Sequence, residues 1–232
     1  MLADAPCVVL FDGLDDRSLD VAGELLWKRR PALHSFAVGS SGLIQALVRH
    51  WRAIGEISAP GATEKPGPVE RLVVVSGSCS LVTETQIRRA TADGFVGVRV
   101  DLSTYDDSAT LNVSLSALSR GASVVLYTAL GASDLTAGKG GENLGRRIGI
   151  VLRDVLVRSG VRRAIVAGGD TSTHAVRQLG IESLTFAGLT TPGAPLCRCH
   201  APGTPLDEME LVLKGGQMGP ENYFEQVRKG NG

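Results

Sequence analysis

The segment Gly168-Gly169-Asp170-Thr171-Ser172 follows an apolar run at 165–167 and opens a helical pattern, and its residue types suit the binding of a phosphate. Paired glycines let the chain turn without a Cβ and present successive main-chain N–H groups to an anion. The N-terminus of the helix that follows adds partial positive charge. Thr171 or Ser172 can cap that helix, while Asp170 can bind a magnesium ion or act as a cap itself. A plain strand-to-helix turn with a good cap would use the same residues, so the pattern alone leaves both readings open.

Val75-Ser76-Gly77-Ser78-Cys79-Ser80 repeats the logic of strand, glycine turn, hydroxyls and helix. The hydroxyls of Ser76 and Ser78 can bond phosphate or ribose, or simply cap a helix. Leu213-Lys214-Gly215-Gly216-Gln217-Met218-Gly219 again ends a strand in glycines, and Gly215 lets the chain approach a base or ribose closely. Gly138-Lys139-Gly140-Gly141 offers a lysine to an anion. It lacks the Ser or Thr directly after the lysine that a phosphate-loop signature requires, and reads as a surface loop.

Other reactive residue types have plainer explanations. Cys197-Arg198-Cys199-His200 lacks a second ligand pair for zinc, since Cys7 and Cys79 are remote, so no metal site is assigned there. On a strand the two cysteines face one side, and Arg198 and His200 the other. His174 reads as a helix-surface residue. Asp15 and Asp16 read as caps of the helix they precede, although Asp12, Asp15 and Asp16 together resemble a carboxylate cluster.

The elements that must position these turns alternate along nearly the whole chain. Apolar runs at 7–11, 35–38, 72–75, 96–100, 123–127, 164–167, 183–186, 194–200 and 211–214 read as strands. Amphipathic patterns at 16–28, 43–51, 83–93, 107–120, 143–159, 171–179 and 220–229 read as helices. Fully apolar strands alternating with helices imply an α/β fold, with a mainly parallel or mixed sheet flanked by helices. In such sheets ligands bind beyond the carboxyl ends of the strands, where these glycine turns fall. Residues 54–68 hold three prolines and three glycines and break the rhythm. The expected organisation is therefore a small N-terminal piece at 1–53, a linker at 54–68 and a larger domain at 69–232.

Composition narrows the function classes. Of 232 residues 29 are glycine, well above the ~7% average, as many tight strand-to-helix turns require. Lysine plus arginine equals aspartate plus glutamate at 24 each, giving no basic excess for a nucleic acid. No apolar run approaches the ~20 residues that cross a bilayer. With no signal-peptide pattern at residues 1–6, a cytoplasmic location is expected.

Taken in order, the turns at 75–80 with Thr85-Gln86-Ile87, at 168–172, Pro192-Gly193-Ala194-Pro195-Leu196, and at 213–219 resemble the C-terminal nucleotide-binding domain of the four-carbon acid sugar kinases. Asp12 and Gly39-Ser40-Ser41-Gly42-Leu43 resemble the end of that family's substrate-binding domain. The resemblance covers nearly the whole chain. It implies ATP and Mg2+ as cofactors and phosphorylation of a hydroxyl on a small sugar acid, a tetronate or oxo-tetronate. It also implies nucleotide contacts from Ser76, Ser78, Gly168, Gly169, Asp170, Thr171 and Gly215. Family members are about twice this length and draw their sugar contacts and base from an Asp-Asp turn that Asp15-Asp16 does not match. The chain alone is thus expected to bind ATP but to phosphorylate poorly. A separate sugar-binding domain or a second copy is the expected partner. The segment Lys214-Gly215-Gly216-Gln217-Met218-Gly219 replaces the family's usual Lys-Ser-Gly-Asn-Phe-Gly. That departure keeps open a non-catalytic binding or regulatory module on the same fold.

Overall fold

The computed structural model describes residues 8–29, 36–59, 61, 65–101, 104, 106–131, 134 and 142–231. Of Glu142 and Asp170 it describes the main chain. The chain divides into two compact units, Met1–Ala62 and Thr63–Gly232.

In the first unit two helices pair, α1 (Asp16–Arg29) and α2 (Ser41–Ala53). Asp15 starts α1 with a reciprocal cap: the Ser18 N–H donates to its carboxylate at 2.8 Å, and its own N–H donates to Ser18 Oγ at 3.1 Å. Ser40 caps α2 by accepting the Gly42 N–H at 3.3 Å. Small residues set the helix contact, because a Cβ on Gly23 would lie 3.0 Å from the main chain of Ala46. Trp27 and Trp51 meet edge to face at 5.2 Å, and Arg49 bonds Asp20 at 2.6 Å. The runs expected as strands at 7–11 and 35–38 form none among the described residues, Cys7 and Ser35 lying outside them. A strand exists by pairing; here Val8, Leu10, Phe36 and Val38 are exposed.

The second unit carries a sheet between two layers of helices. Its elements are β1 (Val73–Ser76), α3 (Leu81–Ala92), β2 (Val96–Arg99), α4 (Ser108–Ser119), β3 (Val124–Tyr127), α5 (Glu142–Ser159), β4 (Arg163–Ala167) and α6 (Gly169–Val176). After a 3-10 turn at Arg177–Leu179 come β5 (Ser183–Thr191), β6 (Ala194–His200), β7 (Glu210–Lys214) and α7 (Tyr223–Lys229). The seven strands lie in the order β2-β3-β1-β4-β7-β6-β5. The first five in that order run parallel, and β6 and β5 close one side as an antiparallel hairpin.

Period-two alternation splits the apolar strands between two cores. Val73, Val75, Val124, Leu126, Ala164, Val166 and Leu211 join side chains of α4, α5 and α6, such as Leu118, Leu152 and Ala175. Leu72, Val74, Val125, Ile165 and Val212 join Ile87 and Ala90 of α3 and Tyr223, Phe224 and Val227 of α7. At ~25 cal/mol per Å2, burial on both faces makes the central strands the main source of stability.

Helix limits differ from the sequence expectation where glycine decides them. α6 begins at Gly169, two residues before the expected 171, because Gly168 (φ 118°, ψ 131°) makes the turn in a region that favours glycine. Most of the loop at 131–141, including Gly138-Lys139-Gly140-Gly141, lies outside the described residues.

Candidate functional site

Ser76, Ala167 and Lys214, the last residues of β1, β4 and β7, stand in register side by side. The three glycine turns singled out in the sequence therefore leave the sheet at adjacent points of its carboxyl edge. Main-chain bonds continue past the strands: Gly77 N–H donates to Ala167 O at 3.3 Å, and Gly168 N–H to Lys214 O at 2.8 Å. The helices that follow diverge, since α3 packs on one face of the sheet and α6 on the other. Between them lies the switch point where the connections from β1 and β4 part, the place where ligands bind in sheets of this kind.

The absence of side chains lets the turns touch. A Cβ on Gly77 would collide with Thr171 Oγ1. One on Gly216 would lie 2.5 Å from Ser78 Oγ and 3.1 Å from Ser80 Cβ. One on Gly169 would meet nothing within 4 Å among the described residues.

Hydroxyls fix the turns rather than the helix ends. Ser76, fully buried, accepts the Ser78 N–H at 3.3 Å, and Ser78 accepts the Ser80 N–H at 3.2 Å. Thr171 and Ser172 do not cap α6, contrary to expectation: the helix already starts at Gly169, which puts both inside it. Ser172 Oγ donates back to Gly168 O at 2.6 Å, and Thr171 turns toward Gly77 and Gly168. Gly168, at the cap position of α6, has no side chain, and Ser80 makes no side-chain cap bond to α3. A helix start without a side chain at its cap position leaves main-chain N–H donors for an anion. Among the described residues Ser80 Oγ is buried with no hydrogen-bond partner. The Asp170 side chain lies outside what is described, which leaves its two readings, metal ligand or cap, as they stood.

The residues that lock the third turn in place carried no assigned role in the sequence reading. Lys214 is buried, at 1% exposure, and its ammonium donates to Thr83 Oγ1 at 3.1 Å, Gly215 O at 3.0 Å and Gly216 O at 3.4 Å. Burial holds its pKa down at about 8. Thr83 Oγ1 in turn donates to Gly216 O at 2.7 Å. One helical turn on, Gln86 Nε2 reaches Met218 O at 2.9 Å, Gly219 O at 3.0 Å and Pro220 O at 2.9 Å. The readable signal was spacing: Thr83 and Gln86 lie three apart on one face of α3, polar residues on a face that is otherwise buried.

The remaining candidates fall elsewhere. His174 packs on α5, where a Cβ on Gly145 would lie 2.6 Å from His174 Cβ. Cys197 and Cys199 share one side of β6 as expected, and burial pushes the Cys199 thiol up to about 12, an inert neutral group. His200, Asp207 and Glu208 converge beyond the amino end of β7, the edge opposite the glycine turns. There Glu208 pairs with Arg198 at 3.1 Å and Asp207 accepts the Ala201 N–H at 2.8 Å, which accounts for both carboxylates as closures of the β6–β7 connection.

A parallel-centred α/β sheet with glycine turns clustered at its switch point defines a phosphate-binding class of domain. Residues 73–224 match the family described as the nucleotide-binding C-terminal domain. The chain belongs to that family. It is 37% identical to a 3-oxo-isoapionate kinase of Paraburkholderia graminis, covering 96% of this chain and 52% of the relative. It is 27% identical to a 3-oxo-tetronate kinase of Brucella melitensis, covering 95% and 51%. A solved Haemophilus influenzae protein shares the fold with a TM-score of 0.64 at 21% identity, over 94% of this chain and 52% of that one. The chain spans about half the length of the curated relatives it matches. Among the described residues no helix is long and apolar enough to cross a membrane.

Proposed function

We propose that the chain is the ATP-binding part of a kinase that phosphorylates a four-carbon sugar acid, a tetronate or oxo-tetronate. The observation that carries this reading is the adjacency of three glycine turns at the ends of β1, β4 and β7, beside the glycine-led start of α6. The name of the Brucella melitensis relative supports the tetronate class, and that of the Paraburkholderia graminis relative supports an oxo sugar acid more broadly.

In this reading the first turn of α6 receives the phosphates through the main-chain N–H groups from Gly169 to Thr171, with Gly168 making the turn that aims them and the Thr171 side chain closing the floor against Gly77. Ser78 faces the ligand from the β1 turn, and the buried Ser76 holds Ser78 in place. Gly215 lets the loop after β7 approach the nucleoside. The site's donor set of main-chain N–H groups and hydroxyls fits a triphosphate. Mg2+ would neutralise its charge, with Asp170 as the proposed protein carboxylate. Phosphoryl transfer depends mainly on positioning and charge neutralisation, which rigid turns on a buried sheet supply.

Calorimetric titration with ATP and Mg2+ is the direct test. Heat of binding is expected, and silence at millimolar nucleotide would sink the reading. Asp170→Ala separates its two roles. A metal-linked carboxylate predicts loss of the Mg2+ dependence of ATP binding, whereas a cap predicts a stability loss of ~1 kcal/mol with binding kept.

A further inference from the structure

We propose that Lys214 is a positioning residue for the nucleotide, its ammonium locking the main chain of Gly215 and Gly216 against α3 so that the nucleoside loop stays in register with the phosphate cradle. The inference rests on the nucleotide reading above and adds a residue to it.

Lys214 ends β7 on the face that carries α3, one residue beyond Leu213, which packs toward the other core. A lysine ammonium has three N–H groups, and here three oxygens meet them: Thr83 Oγ1, Gly215 O and Gly216 O. Among the described residues no carboxylate pairs with it. A charge buried among neutral oxygens alone costs stability, and an apolar side chain would fill the strand end more cheaply. What the ammonium supplies is geometric: it gathers the carbonyls of Gly215 and Gly216, two successive residues with no side chains of their own to hold them.

The lock reaches all three turns. Thr83 donates to the same Gly216 carbonyl at 2.7 Å, closing a small network between α3 and the loop. Gly216 sits on the β1 turn, where its Cβ would meet Ser78 Oγ at 2.5 Å. The carbonyl of Lys214 itself receives the Gly168 N–H at 2.8 Å. That last bond belongs to the main chain, so replacing the side chain frees the loop and leaves the cradle of the β4 turn intact.

The two halves of the ligand therefore report separately. The probes are ATP and inorganic tripolyphosphate, titrated into the full chain and into Lys214→Met and Thr83→Val. Lys214→Met is expected to weaken ATP about tenfold, the scale of lost hydrogen bonds to a charged group, while tripolyphosphate affinity stays unchanged. Thr83→Val should do the same to a smaller degree with the lysine still present. Equal loss for both probes would overturn the positioning role in favour of a direct charge on the phosphates, and unchanged ATP affinity would overturn it outright. If Lys214→Met fails to fold, by circular dichroism, Thr83→Val decides by the same split. Failure of the wild-type chain to bind ATP would instead strike the underlying nucleotide reading.

Discussion

At Gly77 a single methyl group tests how closely two turns must meet. A Cβ there would collide with Thr171 Oγ1 and lie 3.1 Å from Thr171 Cγ2 and 3.2 Å from Thr171 Cβ, so turning the hydroxyl aside does not clear the contact. Gly77→Ala is expected to destabilise by about 1–3 kcal/mol, the range for overpacking, and to weaken ATP binding at the same time. Urea unfolding and nucleotide titration of one variant would check both. Lys214 offers a second residue-scale test, through pH. Its folded pKa lies at about 8, below the ordinary 10.5, because burial penalises the ammonium. Below pH 8 the lysine is protonated in both folded and unfolded chains. Between 8 and 10.5 the unfolded chain binds more protons, so the Lys214 contribution to stability rises with pH across that window. The gain is on the order of 1–3 kcal/mol. Subtracting the urea-unfolding profile of Lys214→Met from that of the wild type isolates it, and a flat difference would refute it.

The contact between α5 and α6 sets where the cradle stands. A Cβ on Gly149 would lie 2.6 Å from Ala175 Cα and 2.6 Å from its carbonyl, which are main-chain atoms that cannot swing aside. Alanine at that position would gain about 1 kcal/mol of helix propensity and lose more to the forced shift of α6. Gly149→Ala should therefore unfold at lower urea, a net loss of about 1–2 kcal/mol, with weaker ATP binding because the start of α6 moves with its body. At this scale the sequence was most legible where elements are buried on both faces. The runs at 72–75 and 164–167 read as strands, and form them at Val73–Ser76 and Arg163–Ala167, because both cores demand apolar residues at successive positions. The runs at 8–11 and 36–38 carry the same apolar signal but no pairing among the described residues, and composition does not encode the partner a strand requires. Within the site, glycines announced their turns through local conformation. Thr83, Gln86 and Lys214 did not announce their roles, because those depend on contacts more than a hundred positions apart in the chain.

On the scale of the whole molecule, both hydrophobic cores of the sheet are made from residues 72–227, inside the second unit. Bonds within the same unit tie its first and last elements to the sheet: Val69 N–H donates to Arg228 O at 2.8 Å, and Arg163, at 2% exposure, binds Glu210 at 2.6 Å and Val227 O at 2.8 Å. The candidate site draws every one of its turns from this unit as well. Among the described residues the first unit rests on a pair of helices of 14 and 13 residues, with Ala22 and Ala46 as the buried apolar side chains. Helices of that length are marginal in water, and two of them enclose little core. Expressed alone, residues 63–232 are expected to unfold in one cooperative transition and to bind ATP within about twofold of the full chain, whereas residues 1–62 alone should melt without cooperativity. Calorimetric melting of the two pieces, with ATP titration of the larger, is the measurement. A larger piece that folds but binds ATP tenfold more weakly than the full chain would mean that the nucleotide site needs residues from the first unit. A larger piece without a cooperative transition would show that the sheet's two cores do not suffice to fold it.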